Sequence, residues 1–149
     1  MQRGIDAEDA AIRAYEGLTG AVVGRVGFLE SADGATGCSP DGIVEADGRF
    51  GLVEVKCPTT KVHVGYLRSG GVVPPPYQAQ LTHSLWVAGP TCEFIDFMSF
   101  DDRLPGGLQT FLVREERDEE KITAHADAVA IFLGEIDDEI TALEALLEE

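Results

Sequence analysis

Two short runs joined by a turn constrain this chain more than anything else in it. Asp41 to Glu45 and Phe50 to Cys57 each read as a strand, and the link Ala46-Asp47-Gly48-Arg49 contains Asp-Gly, the pair that supplies the positive backbone angles of a tight hairpin. Side chains alternate in direction along a strand. Glu54 and Lys56 must therefore share one face while Val53 and Val55 occupy the other, and closing the hairpin brings Asp41 beside Glu54.

Two carboxylates held together repel each other unless a divalent cation sits between them, and hard oxygen ligands are what Mg²⁺, or Mn²⁺ in its place, prefers. Asp41 and Glu54 are the candidate metal ligands, with the backbone carbonyl of Val55 as a third. Lys56 is the candidate catalytic cation. A compact ammonium there can steady an attacking water or offset charge that develops on the phosphate in the transition state. On its own, Glu54-Val55-Lys56 is also what an ordinary half-buried strand looks like. The preceding Ser39-Pro40-Asp41-Gly42, placed opposite by the turn, turns the alternation into the active-site pattern of a metal-dependent nuclease.

Further motifs follow in a fixed order: Leu52-Val53-Glu54-Val55-Lys56-Cys57-Pro58, then Tyr77-Gln78-Ala79-Gln80-Leu81, Ser84-Leu85-Trp86-Val87 and Arg114-Glu115-Glu116-Arg117-Asp118-Glu119. Together with Ser39-Pro40-Asp41-Gly42 this series resembles the phage lambda exonuclease family, the YqaJ-like viral recombinases of the PD-(D/E)XK nuclease superfamily. The resemblance implies an α/β (α+β) restriction-endonuclease-like core with a mixed central sheet flanked by helices. It also implies Mg²⁺-dependent degradation of one strand of linear double-stranded DNA from the 5′ end, leaving 3′ overhangs for a single-strand annealing protein. A homotrimeric ring is implied as well. By the same resemblance Asp41 and Glu54 are metal-binding carboxylates, Val55 the carbonyl ligand, Lys56 the catalytic lysine and Gln80 the glutamine near the attacking water. Tyr77 agrees with the family pattern and is grouped with the DNA contacts, whereas Gln78 does not match a functional position.

The N-terminal segment adds a supporting carboxylate. Ile5, Glu8, Ile12 and Tyr15 recur at helical spacing, which places Glu8 within an apolar stripe, where a carboxylate is costly unless paired or close to a metal. The resembled family has a glutamate near the site in the corresponding helix. Lambda-type members also have a helical region ahead of it that forms part of the pocket for a 5′ phosphate. Here the candidate phosphate contacts are Lys61 and Arg68, with Ser39 as a hydroxyl donor; Val62 stands where the family has an arginine, and a lysine lacks the bidentate grip of that side chain.

Charge patterning bears on the DNA reading. The net charge is −16, an obstacle to phosphate contacts, but residues 1–100 carry 12 acids and 7 bases while residues 101–149 carry 15 acids and 4 bases. The acid is thus concentrated away from the candidate site. The acidic remainder suits either a high-salt host or a soluble oligomer. Three cysteines without a Cys-X-X-Cys pair argue against zinc, a disulfide framework or an iron-sulfur cluster. Cys38 and Cys57 are expected as small core residues on strands, and His63, His83 and His125 as structural or exposed.

At 149 residues and 44% hydrophobic content the chain fits one nuclease domain, 1–149. No apolar run approaches membrane-spanning length and no basic-then-apolar leader opens the sequence, so a cytoplasmic protein is expected, in the host cytoplasm if phage-encoded. Expected elements are a helix over Arg3–Glu16, a strand around Val22–Leu29, the hairpin strands, a short helix from Thr59 or Thr60 to Leu67, and a stiff exposed loop at Val72–Pro76. A helix over Tyr77–Val87, strands at Cys92–Phe100 and Gln109–Arg114, and a long helix over Asp118–Leu147 complete the set. The last helix carries an apolar stripe from Ile122 through Val129, Ile136 and Leu143 to Leu147, expected to pack on the chain's own sheet, with Ile131 and Phe132 off it.

Three functions fit these observations: the 5′-to-3′ exonuclease, an endonuclease or single-strand or flap nuclease of the same chemistry, and a non-catalytic DNA-end-binding protein. The joint presence of Asp41, Glu54, Lys56 and Gln80 favours the first two over the third.

Overall fold

The computed structural model describes residues 2–147, with side chains from Ala7 onward, so Ile5 of the expected first-helix pattern lies outside the described side chains. The chain divides into two compact units, one ending at Arg117 and one beginning at Asp118.

The first unit is built on a mixed sheet. Its strands β1 (Val23–Gly24), β4 (Gly42–Ala46), β5 (Arg49–Lys56), β6 (Phe94–Phe100) and β7 (Thr110–Glu116) lie side by side in that order. Only β5 and β6 run parallel; every other pairing is antiparallel. A separate two-stranded ribbon pairs β2 (Leu29–Glu30) with β3 (Gly37–Cys38). Helices α1 (Gln2–Thr19), α2 (Thr60–Leu67) and α3 (Pro75–Ala88) flank the sheet, as the restriction-endonuclease-like reading expects.

The hairpin forms for the reason its turn suggests. Ala46 pairs with Arg49, leaving Asp47 (φ 55°) and Gly48 (φ 74°) as a two-residue loop with both backbones left-handed. Such a turn matches the twist of the strands it joins. Gly42, opposite Val53, is needed for close approach rather than for its backbone angles. A Cβ there would lie 2.2 Å from a methyl of Val23, so only glycine lets β1 close over the strand that follows Asp41.

The alternation then sorts the two faces. Val53 and Val55 enter a core with Ala11, Ile12 and Tyr15 of α1 and with Val44, Phe94 and Met98. Each fully buried aliphatic side chain of this kind contributes about 1.5–3 kcal/mol. The opposite face carries α2 and α3, where Tyr66 and Tyr77 stack on Phe97, the register partner of Glu54. Strand β6 is buried along its whole length, as expected of an apolar strand with a neighbour on each side and helices on both faces.

Several expectations need correction. The strand expected around Val22–Leu29 is two dipeptide strands in two different sheets, because the charged Arg25 and Gly27 interrupt it, and β3 is a strand that no sequence pattern marks. The proline run is not wholly a loop: Pro75 and Pro76 open α3, where a missing N–H costs nothing and a fixed φ suits the first turn. Cys57 is exposed and Cys38 half-buried, so of the three cysteines only Cys92 is a core residue. His63 is structural, as expected: it is fully buried, with Nε2 donating to the Leu108 carbonyl at 2.9 Å and Nδ1 2.7 Å from the Ser99 hydroxyl.

The second unit is helix α4 (Glu119–Ala145), opened by Asp118, whose side chain accepts from the backbone N–H of Glu120 and Lys121. Its apolar stripe changes along the helix, half-buried at Ala126, Val129 and Leu133 and exposed from Ile136 on. Ile122 is the one buried side chain among the described residues of the helix, and every residue from Gly134 to Leu147 is exposed.

Candidate active site

The site is assembled at the end of the hairpin and completed by α3. Asp41 precedes β4, and its N–H donates to the Val53 carbonyl at 3.1 Å, which continues the ladder one step and sets Asp41 alongside Glu54. The Val55 N–H donates to Asp41 Oδ2 at 2.7 Å. Val55 therefore ties the first carboxylate in place with its amide. Burial, with the charge of Glu54 adding to it, pushes the Asp41 carboxyl above its ordinary range, against the pull of the Val55 hydrogen bond, Lys56 and Arg25.

Glu54 is only 3% exposed. Its Oε1 accepts from both Lys56 Nζ and, at 2.7 Å, Gln80 Nε2. Its Oε2 is buried and has no donor. A buried carboxylate oxygen without a partner is costly, and a cation is the partner such an atom accepts most readily. With Asp41 beside it, the donor set is two hard carboxylates, and these residues fit a divalent cation. Among the described residues there is no group of three or more His, Cys, Asp and Glu side chains arranged around a metal, so two carboxylates plus backbone oxygen is the set available.

Lys56 is held from two sides. It is paired with Glu54, and its ammonium lies 5.4 Å from the centre of the Tyr77 ring. Tyr77 in turn packs on Phe97 at 5.1 Å between centroids. The contact the structure gives Tyr77 is thus with the lysine, a cation–π support. Gln78, one residue on, donates to the Val73 carbonyl at 3.0 Å and braces the start of α3. His83 further along α3 bonds the Gly37 carbonyl at 3.1 Å, tying the helix to the small ribbon.

Asp41, Glu54, Val55, Lys56, Gln80 and Tyr77 are brought together. Ser39, Lys61 and Arg68 are exposed and take no part in this network among the described residues. Glu8 is a partial correction. It is not sealed in the apolar stripe, which consists of Ala11, Ile12 and Tyr15; its side chain is 39% exposed and pairs with Arg25 at 3.4 Å. After burial, its charge is the foremost one pushing up the thiol of Cys57, next to Lys56.

Three features escaped sequence reasoning. Arg25, 58% exposed, pairs with Glu8 and Asp9, and its charge lowers the carboxyl of Asp41. Its only signal was a basic residue in an acidic chain. Asp96, buried on β6, is gripped by both Nε and Nη2 of Arg114 at 2.8 Å and by the Tyr15 hydroxyl at 2.7 Å, which locks α1 to the sheet behind the site. Finally, where the carboxyl ends of the parallel strands β5 and β6 meet, a cavity of about 310 Å³ opens between Cys57, Pro58, Thr59, Phe100 and Arg103. Crevices at the carboxyl ends of parallel strands are common ligand positions. Its wall is fixed by Arg103, which donates to Asp101 Oδ1 at 2.6 Å and to the Pro58 carbonyl at 3.1 Å.

The pattern of the YqaJ-like viral recombinase domain matches residues 1–91, a span that includes the hairpin and all of α3. The chain belongs to this family. The crystal structure of LHK-Exo in complex with dAMP is similar to this YqaJ-like protein with a TM-score of 0.86 and 38% identity, over 96% of this chain and 71% of that one. A crystal structure of the alkaline exonuclease LHK-Exo from Laribacter hongkongensis gives 0.85 and 37%, over 97% and 72%. No curated protein matches the chain. The family and the mixed sheet flanked by helices are those the motif order implied.

Proposed function

We propose that this YqaJ-like protein is a divalent-metal-dependent deoxyribonuclease that removes nucleotides from the 5′ end of one strand of linear double-stranded DNA, leaving 3′ overhangs. The observation that carries the reading is the asymmetry of Glu54, which the strand register sets alongside Asp41: one oxygen is held by Lys56 and Gln80, and the other is buried and donor-free. Similarity to an alkaline exonuclease supports the exonuclease mode, and the complex of that enzyme with dAMP supports a deoxynucleotide substrate. No described helix is long and apolar enough to cross a membrane.

Mg²⁺, with Mn²⁺ as its substitute, would be held by Asp41, Glu54 and the Val55 carbonyl, and when bound it supplies charge neutralisation at the scissile phosphate. The chain's own groups do the rest. Lys56, steadied over Tyr77, holds a compact positive charge on the Glu54 side of the site, where negative charge develops on the phosphate oxygens. Gln80 spends its amide N–H on Glu54, which leaves its carbonyl oxygen to accept from a water and orient it. Glu8, balanced by Arg25, acts as a supporting carboxylate at the edge. Ser39, Lys61 and Arg68 are the candidate contacts to DNA phosphates. From the family come two further parts of the proposal, assembly as a homotrimer and cooperation with a single-strand annealing protein in the cytoplasm.

The deciding experiment incubates end-labelled linear duplex and closed circular duplex separately with Mg²⁺. Release of nucleotides from the 5′ ends of the linear form alone is the expected result. Nicked circles would establish an endonuclease instead, and inertness on both would leave a DNA-end-binding protein.

A further inference from the structure

Helix α4 presents a surface whose chemistry specifies a partner. Ile136, Ile140, Leu143 and Leu147 recur at spacings of four, three and four, so they follow one side of the helix to just past its end, and Phe132, off their line but at its margin, widens the apolar face one turn before Ile136. None of them is buried: Phe132 is 59% exposed, Ile140 47%, Leu143 61% and Leu147 86%. A run of large apolar side chains left in water over several turns is the signature of an interaction site.

Charge decides what fits it. Between Gly134 and Leu147 there are five acids (Glu135, Asp137, Asp138, Glu139 and Glu144) and no Lys or Arg. On a helix these carboxylates border the stripe, Asp137 and Glu144 on one side and Glu139 and Glu135 on the other. They also sit at the negative end of the helix dipole, whose last turn has no basic residue to offset it. A second copy of the same segment would add five more carboxylates to a field already unfavourable, and like charges across a helical seam oppose pairing.

We propose that the Phe132–Leu147 face at the end of α4 is a docking surface for a basic amphipathic helix, one that presents apolar residues flanked by Lys and Arg. Such a partner covers the stripe and neutralises the acidic borders at once, the helix-in-groove mode with complementary charge setting the choice of partner. The proposal does not rest on the nuclease reading, because none of these residues belongs to the catalytic site.

The probe is a synthetic amphipathic peptide of about 20 residues, with leucines at helical spacing and Lys/Arg borders. Two controls accompany it: a peptide with the same leucines and Glu borders, and a sequence-scrambled basic peptide without a stripe. Fluorescence anisotropy with the full chain should show at least tenfold tighter binding of the basic amphipathic peptide than of either control, weakened by salt. The triple variant Ile136→Ser, Ile140→Ser, Leu143→Ser should lose that binding at least tenfold while its far-UV circular dichroism and its DNA cleavage stay at wild-type level. Equal binding of the scrambled basic peptide would reduce the effect to bulk charge attraction and overturn the proposal. So would a drop in the solution mass of the triple variant relative to wild type, which would show that a second copy covers the stripe.

Discussion

Gln80 donates its side-chain amide to Glu54 at 2.7 Å, linking α3 to strand β5 of the hairpin across 26 positions of sequence. The same Glu54 oxygen also accepts from Lys56. A neutral amide and a cation thus share one carboxylate oxygen, and the other oxygen is buried without a donor.

Gln80→Ala should slow nucleotide release from linear duplex by about 10- to 100-fold, the range for a group that orients water, with little change in the Mg²⁺ concentration needed for half-maximal rate. Steady-state rates across a Mg²⁺ titration measure both. A wild-type rate would make the bond to Glu54 merely structural.

Asp41→Ala and Glu54→Ala should each abolish metal-dependent cleavage while leaving a folded chain, since either change leaves a cation with too few fixed oxygens. With metal chelated, Asp41→Ala should melt no lower than wild type, because the charge crowding the buried Glu54 is gone. Thermal melts with and without Mg²⁺ test this: Mg²⁺ should raise the melting temperature of wild type only.

Lys56→Ala should keep DNA binding and lose roughly two or more orders of magnitude in turnover, as expected of a group that stabilises transition-state charge. Lys56→Arg should not rescue it, the planar guanidinium being too broad for a slot between Glu54 and the Tyr77 ring. Equal losses of DNA affinity and turnover in Lys56→Ala would mark the lysine as a phosphate anchor.

Asp96→Ala should cost about 3 kcal/mol in urea unfolding, since it strands the Arg114 guanidinium and the Tyr15 hydroxyl behind the site. Tyr15→Phe, which removes one hydrogen bond and leaves the ion pair, should cost about 1 kcal/mol. Equal costs for the two would assign the energy to α1 packing.

The Arg103 side chain holds the Asp101 carboxyl well below the usual carboxylate range, with Thr60 assisting. A depressed folded-state pKa gives stability that is present above the unfolded value and lost as pH falls through the folded one. Arg103→Gln should therefore lower the melting temperature at neutral pH, and its deficit against wild type should shrink once the pH is taken below about 4, the unfolded carboxylate range. A deficit unchanged by acid would point to lost packing against Pro58.

The hairpin, its turn and the facing of Glu54 and Lys56 were legible because they depend on local rules: alternation along a strand and the backbone angles that Asp47 and Gly48 tolerate. Gln80 was legible only through resemblance, because its helix shows it as one more exposed polar side chain. Arg25, Asp96 and Arg103 were not legible at all. Each gains its meaning from a partner far away in the sequence (Glu8 and Asp9, Arg114, and the Pro58 carbonyl respectively), and no periodicity announces that pairing. The prolines before Tyr77 mislead because the same residue that breaks a helix interior opens a helix well. The α4 stripe is plain as a pattern, but a pattern does not say that its surface is buried.

The parallel pairing of β5 with β6 also sets an order of events in time. The β4–β5 hairpin closes over a two-residue loop, whereas β6 joins β5 only after the chain carrying α2 and α3 has crossed over, with Gly51 finding Phe94. Short loops close far sooner than long ones. A refolding chain therefore holds Asp41 near Glu54 before Gln80 can arrive, and recovery of cleavage must trail recovery of strand structure by the time the crossover takes to close.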